Sequence, residues 1–182
     1  VDNAEEMDLH LQFPLVVKVC SPDILHKTDV GGVKLDVRDT EELKNTIQKF
    51  KEKFSNAKVL IEEMQKKGVE IIAGLVNDKF FGMSIMVGMG GIFTEVYKDV
   101  SFRLVPIQRQ DAEEMLNDLK AQQLFENFRG MKLDKNALID LLLKLSEIGE
   151  ECSRYINQMD LNPVFLYENG LIVVDAKLIK GE

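Results

Sequence analysis

The chain has 182 residues, 45% of them apolar and 30% charged, with a formal net charge of −8, which is material for one medium domain or two small lobes around a real core. The acidic balance excludes general binding to nucleic acid or to an acidic membrane, because no excess basic field exists to release counterions. An anionic ligand would need local cations, or a divalent metal held by carboxylates.

Residues 4 to 12 resemble the tail of a helix. Pro14 then opens a strand over Leu15 to Val19, where a strand-initial proline costs no ladder bond. Val33 to Val37 alternates and reads as the return strand. Asp39 and Glu42 form a capping box for a helix to about Phe54, with Leu43, Ile47, Phe50 and Phe54 on one face. Ala57 to Met64 and Val69 to Val76 are strands joined through Gln65-Lys66-Lys67-Gly68. Asn77-Asp78-Lys79 turns into a strand from Phe80 to Met89. A glycine-bearing loop, Gly88-Met89-Gly90-Gly91-Ile92-Phe93, precedes the run Ser101 to Ile107. Helices follow at Arg109 to Lys120 and Leu133 to Tyr155, with a short helical piece near Gln123 to Phe128. In the long helix Leu138, Leu141, Leu142, Leu145, Ile148 and Cys152 recur at helical spacing and read as core. A hairpin closes the chain: Asp160 to Tyr167, the turn Glu168-Asn169-Gly170, and Leu171 to Leu178. This order predicts an α+β chain with one mostly antiparallel sheet and helices on one face.

Two cysteines, Cys20 and Cys152, make no disulfide framework. Each reads as a buried small hydrophobe, and a reducing cytoplasm is the simpler setting. No apolar run approaches membrane-spanning length. The start, Val1-Asp2-Asn3, has no secretory n-region and no initiator Met, which suits a piece of something longer.

Two segments carry chemistry. The loop from Lys18 through Cys20, His26 and Lys27 to Gly31-Gly32 joins two strands, and a histidine among cations and glycines suits phosphate handling. A solvated surface histidine is the plain alternative. In the closing hairpin, Asn169-Gly170 is the preferred pair for a two-residue type I′ turn. That turn sets Glu168 opposite Leu171, Val164 opposite Asp175 and Lys177 opposite Asn162. Asn162 and Asp175 then become diagonal neighbours, Cβ atoms roughly 7 Å apart, able to share a hard cation with bonds of about 2.1 Å. Asp160 falls on the same face. A solvent-facing polar strip is the alternative. Asp175, however, interrupts Leu171-Ile172-Val173-Val174 and Ala176-Lys177-Leu178, and a charge in a buried strand needs a partner.

The phrases SPDILHKTDVGGVKL, GMGGIFTEVYKDVSFRLVPI and DLNPVFLYENGLIVVDAKL together resemble an ATP-grasp domain. More narrowly, they resemble the nucleotide-binding β part of the ADP-forming acetate–CoA (acyl-CoA) ligases, relatives of succinyl-CoA synthetase. The resemblance implies two lobes with antiparallel sheets flanked by helices: residues 1–63 as a partial N-terminal lobe bearing the phosphohistidine loop, and 64–182 as a C-terminal lobe bearing the Mg²⁺ hairpin. It implies interconversion of acyl-CoA, ADP and phosphate with acid, CoA and ATP, the phosphoryl group passing through histidines. His26 is then the carrier facing the nucleotide, and a neutral imidazole with a pKa of about 6.5 is a competent nucleophile. Lys27, Gly31 and Gly32 would offer a cation and backbone N–H groups to the transferring oxygens. Lys18 takes the place of the strand lysine that contacts the α-phosphate side. Glu62 and Glu63 match the hinge, where backbone groups through Met64 and Gln65 read adenine. Glu70 meets the ribose or is ordinary alternation, and Arg103 holds a phosphate or forms a structural salt bridge. Asn162 and Asp175 match the Mg²⁺ ligands. The implied cofactors are ATP/ADP and Mg²⁺; the implied partner is a CoA-binding α subunit or fused domain, with no nucleic acid and no membrane. The resembling domain begins earlier than this chain, with strands and a helix that close the cleft.

Two other functions fit the same residues. Another ATP-grasp ligase, making an acyl-phosphate for attack by an amine, would need no loop histidine. A nucleotide-sensing regulatory module of an acyltransferase fusion would bind nucleotide and Mg²⁺ without becoming phosphorylated.

Overall fold

A computed structural model describes residues 10–21, 23–24, 27–55, 57–91 and 98–181. The chain divides into two compact units, Val1–Lys66 and Lys67–Glu182. The sheet is therefore not single. Three strands form one sheet and six form another, because Gln65 to Gly68 acts as a linker between sheets rather than a hairpin within one.

In the first unit β1 (Leu15–Cys20) is central, flanked by β2 (Val33–Val37) and β3 (Lys58–Glu63), both antiparallel to it. Residues 10–12 are not helical; residues 4–9 lie outside the described set. Helix α1 (Thr40–Lys53) starts where the sequence signals it. The Asp39 carboxylate accepts from Glu42 N at 2.8 Å. The reciprocal bond of the box is shifted by one residue: Glu42 Oε2 accepts from Arg38 N at 3.0 Å. Strand alternation turns Leu15, Val17, Val19, Val59 and Ile61 toward Leu43, Ile47 and Phe50 of α1. Val16, Lys18, Leu60 and Glu62 occupy the other face.

The second unit is built on the order β6 (Val100–Leu104), β5 (Gly82–Met89), β4 (Val69–Asp78), β7 (Ile156–Leu166), β8 (Leu171–Val173), with β9 (Ala176–Lys180) also paired to β7. All described pairings are antiparallel. Helices α2 (Arg109–Asn117) and α3 (Lys135–Cys152) cover one face. Their Ala112, Met115, Leu116, Leu138, Leu142 and Leu145 pack with Ile71, Ala73, Leu75, Ile85, Val87, Leu161 and Val164 of the sheet. The leucine stripe of α3 is thus core. Short 3-10 turns at Gln122–Phe125 and Phe128–Gly130 replace the single helical piece.

Three local expectations shift for identifiable reasons. Phe80 and Phe81 belong to the turn, exposed, because Asp78 accepts both of their N–H groups at 2.8 and 3.0 Å. β6 stops at Leu104, ahead of Pro106, which has no N–H for a ladder. Cys20 is exposed at the end of β1, and only Cys152 packs partly against a core. Among the described residues no helix is long and apolar enough to cross a membrane.

Candidate functional site

The face of the first sheet away from α1 carries a buried cation. Lys18 is 5% exposed, and its Nζ lies 2.6 Å from Glu62 Oε2. The register explains the meeting: Lys18 stands opposite Leu60 and Glu62 opposite Val16, so the pair is diagonal across β1 and β3. The contact is an ion pair without the alignment of a hydrogen bond, since the same Oε2 is shut off from solvent and accepts no aligned donor. Glu63, one residue on, belongs to the opposite face. Its Oε1 accepts from Gln12 N at 2.9 Å. The Met64 N–H donates to the Pro14 carbonyl at 2.9 Å.

His26 lies outside the described residues, as do Pro22 and Leu25. The flanks of its loop are well anchored. Ile24 packs against the core of the first unit, and Lys53 at the end of α1 donates from Nζ to the Val30 carbonyl at 2.7 Å. Gly31 takes φ of +65°, a conformation that favours glycine. At Gly32 a Cβ would run into the Val19 side chain. The Gly31 and Gly32 N–H groups donate to the Thr28 and Lys27 carbonyls at 3.0 and 2.7 Å. In this conformation those two amides close the turn rather than face a ligand.

In the second unit Glu70 lies on β4, on the face away from the helices. Lys67 Nζ is 3.1 Å from its Oε1, and Gly90 N donates to its carbonyl at 2.7 Å. The described part of the glycine loop therefore packs on Glu70; Ile92 and Phe93 lie outside the described residues. Arg103, for which a phosphate and a structural salt bridge were both open, is held by its neighbours. Its guanidinium donates to Asp118 Oδ2 at 2.8 Å and to the Phe102 carbonyl at 2.9 Å, with Glu114 at 3.8 Å. The arginine and the Ser101 hydroxyl beside Asp118 hold its carboxyl below the usual aspartate range.

The terminal hairpin differs from its expected register by two residues. Leu166 pairs Leu171 and Val164 pairs Val173; further along, Leu161 pairs Ala176 and Asp160, rather than Asn162, pairs Lys177. Both stretches place Asn162 directly opposite Asp175, and the Asn162 N–H donates to the Asp175 carbonyl at 3.0 Å. The two share a rung instead of a diagonal, a placement that sets Cβ atoms closer than the diagonal does. The strip is also less buried than the apolar run suggested: Asn162 is exposed and Asp175 half-buried. One carboxylate and one amide oxygen are hard donors suited to Mg²⁺, which leaves most of its octahedron to water and phosphates. Among the described residues no cluster of three or more His, Cys, Asp or Glu gathers.

The residue that sequence reasoning missed is Asp134. Its carboxylate accepts from Ala137 N at 3.0 Å, capping α3, and from Gly170 N at 2.8 Å, across to the hairpin turn. An aspartate just before a helical run is a recognisable cap signal; its second bond is not legible locally.

Two antiparallel sheets in separate units, the first backed by α1 and the second by α2 and α3, define a two-lobe α+β class. An ATP-grasp domain model matches residues 1–179, and the chain belongs to that family. It is 46% identical over 93% of its length to acetate–CoA ligase [ADP-forming] II of Archaeoglobus fulgidus, spanning 25% of that protein. It is 41% identical over 98% of its length to the β subunit of acetate–CoA ligase [ADP-forming] II of Pyrococcus furiosus, spanning 80% of it. Among solved structures, acetyl-coenzyme A synthetase 1 of Ca. Korarchaeum cryptofilum matches with TM-score 0.80 and 43% identity, over 92% of this chain and 76% of that one. That protein was solved with coenzyme A and Mg-AMPPCP, its phosphohistidine segment pointing towards the nucleotide binding site.

Proposed function

We propose that this chain is the nucleotide- and Mg²⁺-binding part of an ADP-forming acyl-CoA synthetase, working with a CoA-binding α subunit or fused domain. The observation that carries the proposal is the shared rung of Asn162 and Asp175, two hard oxygen donors on neighbouring strands. These two residues would hold Mg²⁺, which supplies charge neutralisation to the nucleotide phosphates. The relatives' names and the nucleotide analogue in the matching structure support the same reading.

The chain's own residues then divide the work. Lys18, buried and charged, meets the phosphates; Glu62 keeps its ammonium in place and takes up its charge when no nucleotide is bound. The Met64 carbonyl, with Glu63 fixing the start of the linker through Gln12, reads the adenine side. Glu70, braced by Gly90, would meet a ribose hydroxyl. Gly31 and Gly32 shape the loop return rather than donate to phosphate, and Arg103 ties β6 to α2. His26 carries the phosphoryl group: an imidazole nitrogen bonds to the terminal phosphorus as the bond to the ADP oxygen breaks, and the reverse step regenerates ATP. The lobes assigned to these roles are residues 1–63 and 64–182.

The test uses the complete two-part protein with labelled ATP and Mg²⁺. Acid-labile, base-stable label that passes to ADP and vanishes in His26→Ala is the expected result. Label that persists in His26→Ala, or tight binding with no label at all, overturns the relay.

A further inference from the structure

The closing hairpin does not adopt the register that its turn sequence favours. Asn169-Gly170 is suited to a two-residue turn that would put Val164 opposite Asp175, yet the ladder places Val164 opposite Val173. The difference is two residues, so every side chain keeps its face and the hydrophobic pattern cannot choose between the registers. The loop itself is not the type I′ turn, because Gly170 takes φ of +78° while Asn169 does not take a positive φ, and it is tied to a helix outside the hairpin. At the start of α3, Asp134 donates its own N–H to the Tyr167 carbonyl at 2.8 Å and accepts from Gly170 N at 2.8 Å. Tyr167 N also donates to the Gly170 carbonyl at 3.1 Å. Residues 167–170 thus close the hairpin in the observed register and are held to the helix through Tyr167 and Gly170.

We propose that Asp134 is a positioning residue for the metal site: by gripping Gly170 it keeps Asp175 on the rung of Asn162. The inference rests on the reading that Asn162 and Asp175 hold Mg²⁺. In the register that the turn alone prefers, Asp175 would face Val164, and Lys177 would take its place opposite Asn162. An ammonium would then stand where the second oxygen ligand is needed. The shift carries β9 with it, so the bond from Gly181 N to the Tyr155 carbonyl, 2.8 Å in the observed register, would break.

The test separates the cap from the grip. Asp134→Asn keeps one side-chain oxygen for Ala137 N, and asparagine caps helices as well as aspartate; it has no second acceptor for Gly170. In the complete protein with Cys20 and Cys152 replaced by Ser, the pair Phe165→Cys with Ile172→Cys traps the observed register as a disulfide. The pair Phe165→Cys with Val174→Cys traps the shifted one. Asp134→Asn should move the ratio of the two yields at least ~tenfold toward the shifted pair. It should also raise the Mg²⁺ concentration needed for ADP binding, read by calorimetry, about tenfold, with little change in melting temperature. Asp134→Ser, which also caps, should behave alike. An unchanged ratio, or an unchanged Mg²⁺ requirement, overturns the positioning role. ADP binding by the unsubstituted protein that is indifferent to Mg²⁺ overturns the metal assignment and the positioning role with it, while the disulfide ratio still reports separately on the grip.

Discussion

The tight seat of Gly90 against β4 converts into a measurable cost. A Cβ at Gly90 would lie 2.9 Å from both the carbonyl carbon and the Cβ of Glu70, and 3.0 Å from its carbonyl oxygen. Comfortable carbon–carbon contact is about 3.5 Å or more, so Gly90→Ala forces an overlap of roughly 0.6 Å. The obstructing atoms are mostly backbone of β4, the strand between β5 and β7, and cannot swing aside. Relief must come by lengthening the 2.7 Å bond from Gly90 N to the Glu70 carbonyl. Overpacking of this kind costs about 1–3 kcal/mol; alanine returns about 0.4–1 kcal/mol by restricting the unfolded chain. The net of about 1–2 kcal/mol corresponds to a melting temperature lower by ~5 °C. Gly149→Ala is the matched control. There a Cβ meets Met83 Cγ at 3.1 Å and Leu75 Cδ2 at 3.2 Å, which are side-chain atoms free to rotate, and alanine gains ~1 kcal/mol of helix propensity in α3. Thermal unfolding by circular dichroism should rank Gly90→Ala clearly below wild type and Gly149→Ala close to it. The reverse order would refute the argument that backbone crowding, not crowding itself, sets the cost.

Asp175→Ala should abolish Mg²⁺-dependent ADP binding in calorimetry while melting within about 3 °C of wild type, because the bonds from Asn162 N to the Asp175 carbonyl and from Val174 N to the Pro163 carbonyl use backbone only; unfolding of this variant would make Asp175 a structural partner instead. Asn162→Ala should weaken Mg²⁺ binding less, since a neutral ligand is lost rather than a charge. Lys18→Met should lower ADP affinity in equilibrium dialysis roughly 10–100-fold, the worth of charge-assisted bonds to phosphate, and should also lower the melting temperature, because it leaves Glu62 Oε2, which is shut off from solvent, without its ammonium; unaltered affinity would remove Lys18 from the site. Acid sensitivity follows from Asp118, depressed by Arg103 and Ser101, and Asp134, depressed by the Ala137 and Gly170 N–H groups. A depressed folded value means the stabilisation is full above the unfolded pKa and is lost as pH falls through the folded one. Melting temperature should therefore drop below about pH 4, and less steeply in Asp118→Asn and Asp134→Asn.

Most elements were legible because their signals are local. The Asp39 cap with the Leu43, Ile47 and Phe50 face needs only helical spacing, and the alternation of Val33 to Val37 needs only a pleat. Lys18 stood out as a charge inside a valine-rich strand, and Asn162 with Asp175 as polar breaks in apolar ones. The partner of Lys18 was not legible, since Glu62 is its diagonal neighbour only once β3 is registered on β1. Phe80 and Phe81 look like strand in sequence but form the turn, because the Asp78 carboxylate, not the apolar pair, decides where β5 begins.

What the amino-acid order alone determined is therefore the set of amphipathic elements and the residue types able to bind a magnesium nucleotide. The division into two sheets, the Lys18–Glu62 pair and the shared rung at 162 and 175 were decided by tertiary structure. A register shift of two leaves every side chain on its own face, so the hairpin's own pattern is indifferent to it. The grip of Asp134 on Gly170, 36 residues away in sequence, and the pairing of β9 with β7 supply what that pattern does not.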